Sequence, residues 1–337
     1  MIYKYSLVIV IASCLTFILI ILFYSSTQSA YTYLEKTQLP NDIFSTDDCS
    51  HSISNDMAVL VVVDKSSFLK NYTLAQKTLT CYCLAHNYSL NYIFLEHDTN
   101  YSHQCNQSGF YFRRHCAAVV FMQAHPNFKF ILFVDADIGV INPRHRIEEF
   151  INERTDAEIK LIFFERLITY EIMAGSYLAK NTLFVHDFLM EWANYTSNQL
   201  FNQKKTYHQD DEGALHQVLI NRYVSSASNR NICEQVYNST IDYYAYLNEY
   251  VVCARHILGI STRTFGNTIK LIRQGDGWAR DGHETATSFW ADRDFMFHYW
   301  KDQLADLWKF PFLDKNSTLE FKPEKCHVNG AMTREMF

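Results

Sequence analysis

Between residues 57 and 195 the chain alternates short apolar runs with segments of helical apolar spacing, and this alternation limits the folds open to it. "MAVLVVV" (57–63) has no polar face and predicts a strand buried on both sides. "TLAQKTLTCYCLAHNY" is helical, and "LNYIFLEHD" is a strand. "FYFRRHCAAVVFMQAHP" is a helix stopped near Pro126, and "FILFV" (130–134) is another buried strand. "PRHRIEEFINE" puts Pro143 at a helix N-terminus, "AEIKLIFFE" is a strand, and "TLFVHDFLMEWANY" is an amphipathic helix. This order predicts an α/β fold with a mostly parallel sheet covered by helices on both faces. Ligands of such sheets bind beyond the carboxyl ends of the strands.

Asp135 and Asp137 stand at one of those ends, separated by Ala136 alone. In an extended chain positions i and i+2 project to the same side, so both carboxylates converge on one point. An exposed turn with two solvated aspartates is the plain reading of any D-x-D. At the end of a buried strand, however, the two charges repel, and a hard divalent cation relieves that repulsion. Such a cation also binds a diphosphate, which a chain of net charge −6 does not otherwise attract. The same charge argues against nucleic acid as a partner. Phosphatases of the haloacid dehalogenase type carry D-x-D after a strand but need Thr or Val two residues further on, where this chain has Gly139. Nucleotide-sugar glycosyltransferases are the other class with this arrangement.

Residues Leu7–Phe23 form an uncharged, mostly aliphatic stretch near the lower length limit for a membrane span. Lys4 before it favours a cytoplasmic N-terminus. A cleaved signal peptide is the competing reading, with Ser25, Ser26 and Ala30 offering small residues for cleavage. Asn71, Asn87, Asn100, Asn106, Asn194, Asn238 and Asn316 each lie in an N-x-S/T sequon, against about three expected by chance. With Cys14 in the span, eight of the nine cysteines remain, an even number suited to an oxidising compartment. Cys81 and Cys83 diverge on one helix and are not expected to pair. Cys116 reads as a buried thiol. The expected organisation is a tail (1–6), a span (7–23), a lumenal stem (24–55), one domain (56–326) and a C-terminal tail (327–337). That makes a single-pass type II protein of the Golgi or ER membrane.

"FVDADIGVINP" resembles the D-x-D strand of GT-A fold glycosyltransferases. Together with "FRRHCAA", "YEIMAGSYLAKNT", "DEGALHQVL" and "GDGWARDG…DRDFMFHYWK", in that order, it resembles a nematode-expanded family of GT-A-like type II membrane proteins carrying a domain of unknown function. The resemblance covers residues 57 to 310. More distant similarity runs to retaining galactosyl-, xylosyl- and glycogenin-like transferases. The chain departs from these at "MAG" (173–175), at Asp211-Glu212 where they have Asp-Gln, and at Lys301, closer behind the His than in the glycogenin-like enzymes.

The resemblance implies a GT-A (Rossmann-like) fold, a UDP-sugar donor, a glycan or glycoprotein acceptor, and Mn²⁺ or Mg²⁺. It makes His298 the third ligand beside Asp135 and Asp137, although a lone His in an apolar run is ordinarily a core residue. Lys301 is then placed to neutralise the departing diphosphate. Arg113 and Arg114 open the helix before the D-x-D strand; one is expected to reach the nucleotide, a role given to Arg113, and the other to face solvent. Ala174 and Gly175 lack bulk, which lets a ligand approach the backbone. Asp210, Asp211 and Glu212 crowd a helix start, where capping explains one or two carboxylates. Glu212 is expected to act on the sugar at the anomeric carbon, and Asp211 to contact donor sugar or acceptor. Trp278, Trp290 and Trp300 are candidates for stacking on sugars, with core packing equally open. In "YNSTIDYYAYLNEY" acceptor platform and aromatic packing are both open. A membrane-anchored, lectin-like descendant without activity is the alternative from another class.

Overall fold

The computed structural model of the chain describes residues 56–107, 109–152, 156–195, 210–282, 291 and 293–302. The expected span, the stem, the C-terminal tail, Trp290 and Asn316 lie outside the described residues. Among the described residues no helix is long and apolar enough to cross a membrane.

In chain order the strands are β1 (Met57–Val63), β2 (Ser89–Phe94), β3 (Phe130–Val134), β4 (Gly139–Val140) and β5 (Leu161–Phe164). They continue with β6 (Ser176–Lys180), β7 (Thr264–Phe265), β8 (Ile269–Ile272), β9 (Ala279–Asp281) and β10 (Met296–His298). The helices are α1 (Thr73–His86), α2 (Thr99–Gln104), α3 (Phe110–Ala124), α4 (Leu183–Ala193), α5 (Asp210–Tyr223), α6 (Ala227–Ser239) and α7 (Val252–Leu258). Seven strands form one sheet in the order β2-β1-β3-β6-β5-β8-β7, and β4-β10-β9 form a second.

Period-2 alternation explains the double-sided core. Ala58, Leu60 and Val62 of β1 join Ile131 and Phe133 of β3 against residues of α3, α4 and α5. Val59, Val61 and Val63 join Leu132 and Val134 on the other face, with Leu79 and Tyr82 of α1 and Met296 of β10. The small sheet lies on this second face, close to α1. A Cβ on Gly139 would come within 2.8 Å of the Ala75 Cα and 2.5 Å of the Trp300 ring, so only glycine admits that approach.

Three sequence expectations are corrected here. The large sheet is mixed: β6 runs antiparallel to both β3 and β5. The β5–β6 connection contains no helix and folds back through a Glu165–Ile172 bridge, and so short a return cannot make a parallel crossover. Pro143 begins no α-helix; it sits in a turn, followed by one 3₁₀ turn at Ile147–Phe150. Cys116 is no free thiol but pairs with Cys105, tethering α3 to the end of α2. Cys233 pairs with Cys253, joining α6 to α7; Cys83 is free and buried while Cys81 is disulfide-bonded, so the two do not pair with each other, as expected.

Two histidines without solvent access hold α3 and α5 in place. His216 Nδ1 donates to Glu212 O at 2.9 Å while Nε2 accepts from Ile172 N–H at 3.3 Å. A second proton on Nε2 would face that N–H, and burial pushes the pKa down to about 3. His115 stacks on Trp192 at 3.6 Å between Asp211 and Tyr177, and burial lowers it to about 4. The unfolded chain protonates both near their ordinary 6.5, so below that pH it binds protons that the folded state refuses. The contribution of these two histidines should therefore be full above pH ~7 and fall as pH drops, by about 2 kcal/mol each at pH ~5, a loss only partly offset by the raised Asp135 and His298. Urea unfolding midpoints across that range check this, and a flat profile would contradict it.

Candidate active site

β3, an interior strand, carries Asp135 to its carboxyl end, where the backbone turns at once. Asp135 N–H donates to Gly175 O at 2.8 Å, and Ile138 N–H donates to Asp135 O at 3.0 Å. This turn, rather than strand alternation, brings the two carboxylates together, because β3 ends at Val134. Trp300 N–H donates to Asp137 O at 2.9 Å and fastens the residues after β10 onto the same turn. One ligand atom from each of Asp135, Asp137 and His298 lies within 4.8 Å of the others.

His298 is oriented from behind. Its Nδ1 is hydrogen-bonded to Asp281 Oδ1 at 2.6 Å, which leaves Nε2 3.4 Å from Asp137 Oδ1. A carboxylate in this position fixes the ring of a metal-binding histidine. Burial opposes charge on His298, but Asp137 and Asp281 outweigh it and hold its pKa above the ordinary imidazole value. Burial pushes the Asp135 carboxyl up to about 6 in spite of the neighbouring Arg114.

Arg114, from α3, is 3% exposed and sits between two carboxylates. It pairs with Asp135, and it reaches Asp211 Oδ2 through Nη2 at 2.6 Å and Nε at 3.0 Å. Burial opposes the guanidinium charge, yet the two aspartates hold its pKa above the ordinary value. A second buried guanidinium, Arg166, donates to Glu212 Oε1 at 2.5 Å and lies 3.8 Å from Asp281. Five carboxylates (Asp135, Asp137, Asp211, Glu212 and Asp281) thus face two guanidiniums. Of these, Asp135 and Asp137 stand together beside the His298 imidazole, a donor set that fits a hard divalent cation.

These groups open into a cavity of about 480 Å³. Asp135, Asp137, Asp211, Glu212, His298, Lys301 and Gly175 all line it, joined by Arg166 and by the aromatic Phe68, Tyr72, Tyr111 and Tyr243. Lys301 Nζ lies 3.9 Å from the Tyr299 ring centre, and Tyr299 holds a left-handed φ of 71° between His298 and Trp300. Burial together with Asp137 and Asp135 raises the Tyr72 hydroxyl pKa.

Several expected roles shift. Arg113 does not line the cavity: its Nε donates to Cys105 O at 3.2 Å, and Arg114 is the arginine directed inward. Ala174 is buried away from the lining. Gly175 lacks bulk because of a protein group rather than a ligand, since a Cβ there would stand 2.3 Å from Asp135 Oδ2. The Asp211 carboxylate is engaged by Arg114 and His115, which makes it a positioning residue. Trp278 and Trp300 are 1% and 0% exposed and serve as packing. In the tyrosine-rich stretch Tyr237, Tyr246 and Tyr250 are core, while Tyr243 reaches the cavity. Sequence reasoning missed Asp281 and Arg166. Asp281 lies inside the "GDGWARDG" block, and Arg166 is a charge next to a buried strand; both were visible as residues, but neither spacing announces a partner far along the chain.

The family described as "Protein of unknown function, DUF273" matches residues 79–310. No curated protein matches the chain. Among solved structures it is similar to a glycosyltransferase involved in the glycosylation of the major capsid of PBCV-1, at 18% identity over 44% of this chain and 69% of that one, with a TM-score of 0.34. It is also similar to A197 from STIV, at 7% identity over 47% of this chain and 75% of that one, with a TM-score of 0.27. Likenesses at these scores carry no weight for the activity of this chain.

The Arg114 geometry makes a direct prediction. Arg114→Met leaves the buried Asp211 and the partly buried Asp135 carboxylates without their counter-ion and should cost about 3–5 kcal/mol. Arg113→Met, at a partly exposed position, should cost less than about 1 kcal/mol. Denaturant titration of both variants checks this; equal losses would contradict the assignment.

Proposed function

The chain belongs to the family described as a protein of unknown function, DUF273, and we propose that it is a metal-dependent glycosyltransferase. In this reading it moves a hexose or pentose from a UDP-sugar to a glycan or glycoprotein acceptor in the secretory pathway, with retention of anomeric configuration. The observation that carries it is the Asp135–Asp137–His298 group, set on a turn at the carboxyl end of β3 and opening into the same cavity as Lys301. A lectin-like descendant would have no use for a metal–diphosphate site. Five of the six described sequon asparagines (71, 87, 100, 106 and 238) are exposed, which supports a lumenal domain. Two disulfides support it further.

Asp137 and His298 would hold the divalent cation, with Asp135 contacting it or the ribose. Such a cation supplies Lewis-acid neutralisation of a departing diphosphate. Arg114 and Asp281 keep Asp135 and His298 in place, so the site is preorganised before any ligand arrives. Lys301 adds an ammonium on the same cavity wall. Phe68, Tyr72 and Tyr111 offer flat faces to a base. Glu212, fixed by Arg166, faces the cavity as the group that balances oxocarbenium character at the anomeric carbon.

The test is to incubate the protein with a panel of nucleotide sugars and Mn²⁺ and to follow release of nucleoside diphosphate. Turnover with a UDP-sugar is expected, and silence across the panel would overturn the reading. Glu212→Gln should lower turnover by on the order of 10²-fold with UDP-sugar binding nearly intact. Near-normal turnover in that variant would make Glu212 a structural partner of Arg166 and nothing more.

A further inference from the structure

A second cavity of about 370 Å³ has apolar walls formed by Tyr170, Val251, Val252 and Ile260, with Thr169, His256 and Arg255 completing its lining. Arg255 is 2% exposed. Its Nη2 is bound to Glu165, but its Nε and Nη1 are buried without a hydrogen-bond partner. Glu165 is shared: Arg263 reaches the same Oε1 at 2.9 Å, and Oε2 accepts Gln274 N–H at 3.1 Å. One carboxylate therefore serves two guanidiniums, and a positive charge is left in excess. Burying such a group with unmet donors is costly unless another acceptor completes it.

The surroundings of Arg255 are shaped as a site. Val252, Ile260 and Tyr170 remain 59%, 55% and 44% exposed, so apolar surface faces water around a cationic floor. Tyr170 holds a left-handed φ of 60°, unusual for an aromatic residue. Tyr246–Val251 form a π-helix that ends at the cavity wall and runs straight into α7. Both departures are backbone states that proteins keep mainly where function requires them.

We propose that this cavity binds a small apolar carboxylate, its hydrocarbon body against Tyr170, Val252 and Ile260 and its charge drawn by the incompletely compensated guanidinium of Arg255 in the cavity lining. The site goes beyond glycosyl transfer and stands whether or not that activity holds. It adjoins the first cavity through the chain itself, since Glu165 holds Arg255 and the next residue, Arg166, holds Glu212.

Calorimetric titration of the full chain with phenylbutyrate and with phenylbutanol tests the site. One equivalent of phenylbutyrate should bind, and the alcohol, equal in shape but uncharged, should bind about tenfold more weakly or less. Val252→Asp puts a carboxylate on the exposed rim and should abolish phenylbutyrate binding without lowering the thermal midpoint. Arg255→Gln should abolish binding too, and if that variant fails to fold, the rim variant still decides. No binding of phenylbutyrate, equal binding of acid and alcohol, or unchanged affinity in Val252→Asp would each overturn the proposal.

Discussion

The buried guanidinium of Arg114 is the contact on which the candidate active site depends. It reaches Asp135 after β3 and Asp211 at the start of α5, and so ties three elements from distant parts of the chain into one wall. Without it the buried Asp211 and the partly buried Asp135 would face each other's charge with no cation between them, which low-dielectric surroundings penalise. With it Asp135 is held in one place, Asp211 is free to fix His115, and Trp192 Nε1 closes on Asp211 O at 2.8 Å. Asp281 plays the matching part for His298. The functional side chains are thus held by charges whose partners are themselves fixed, and no loop movement is needed to assemble the cluster.

The antiparallel strand β6 decides what surrounds that wall. Its short return from β5 folds residues 165–175 over the sheet edge and delivers Arg166 and Gly175 to the first cavity. Adjacent residues of an extended chain point in opposite directions. Glu165 accordingly turns to Arg255 and Arg166 to Glu212, so one peptide bond separates the chemistry of two cavities.

Much of this was legible in the sequence, and the physical reasons are specific. β1 and β3 were readable because strands buried on both faces must be apolar throughout. α1, α3 and α4 were readable from helical spacing. The Asp pair was readable because two charges closing a buried strand have few uses. The direction of β6 was not readable, since strand polarity follows from connection geometry and not from composition. Arg113 and Arg114 are chemically identical neighbours, and only the rotation of α3 decides which one faces inward. Asp281 and Arg166 escaped notice because their partners, His298 and Glu212, lie 17 and 46 residues away. Gly175 does need its lack of bulk, but for the Asp135 carboxylate that fills the space, which no local pattern announces.

In the proposed reading Asp135, Asp137 and His298 form a cation site that holds a nucleoside diphosphate. Calorimetric titration of UDP into the protein, with Mn²⁺ and with Mn²⁺ chelated, tests it most directly, with Asp137→Asn run in parallel. UDP binding should require Mn²⁺ and disappear in Asp137→Asn, and that variant's unfolding midpoint should stay unchanged. UDP binding of equal strength without the metal, or undiminished in Asp137→Asn, would contradict it.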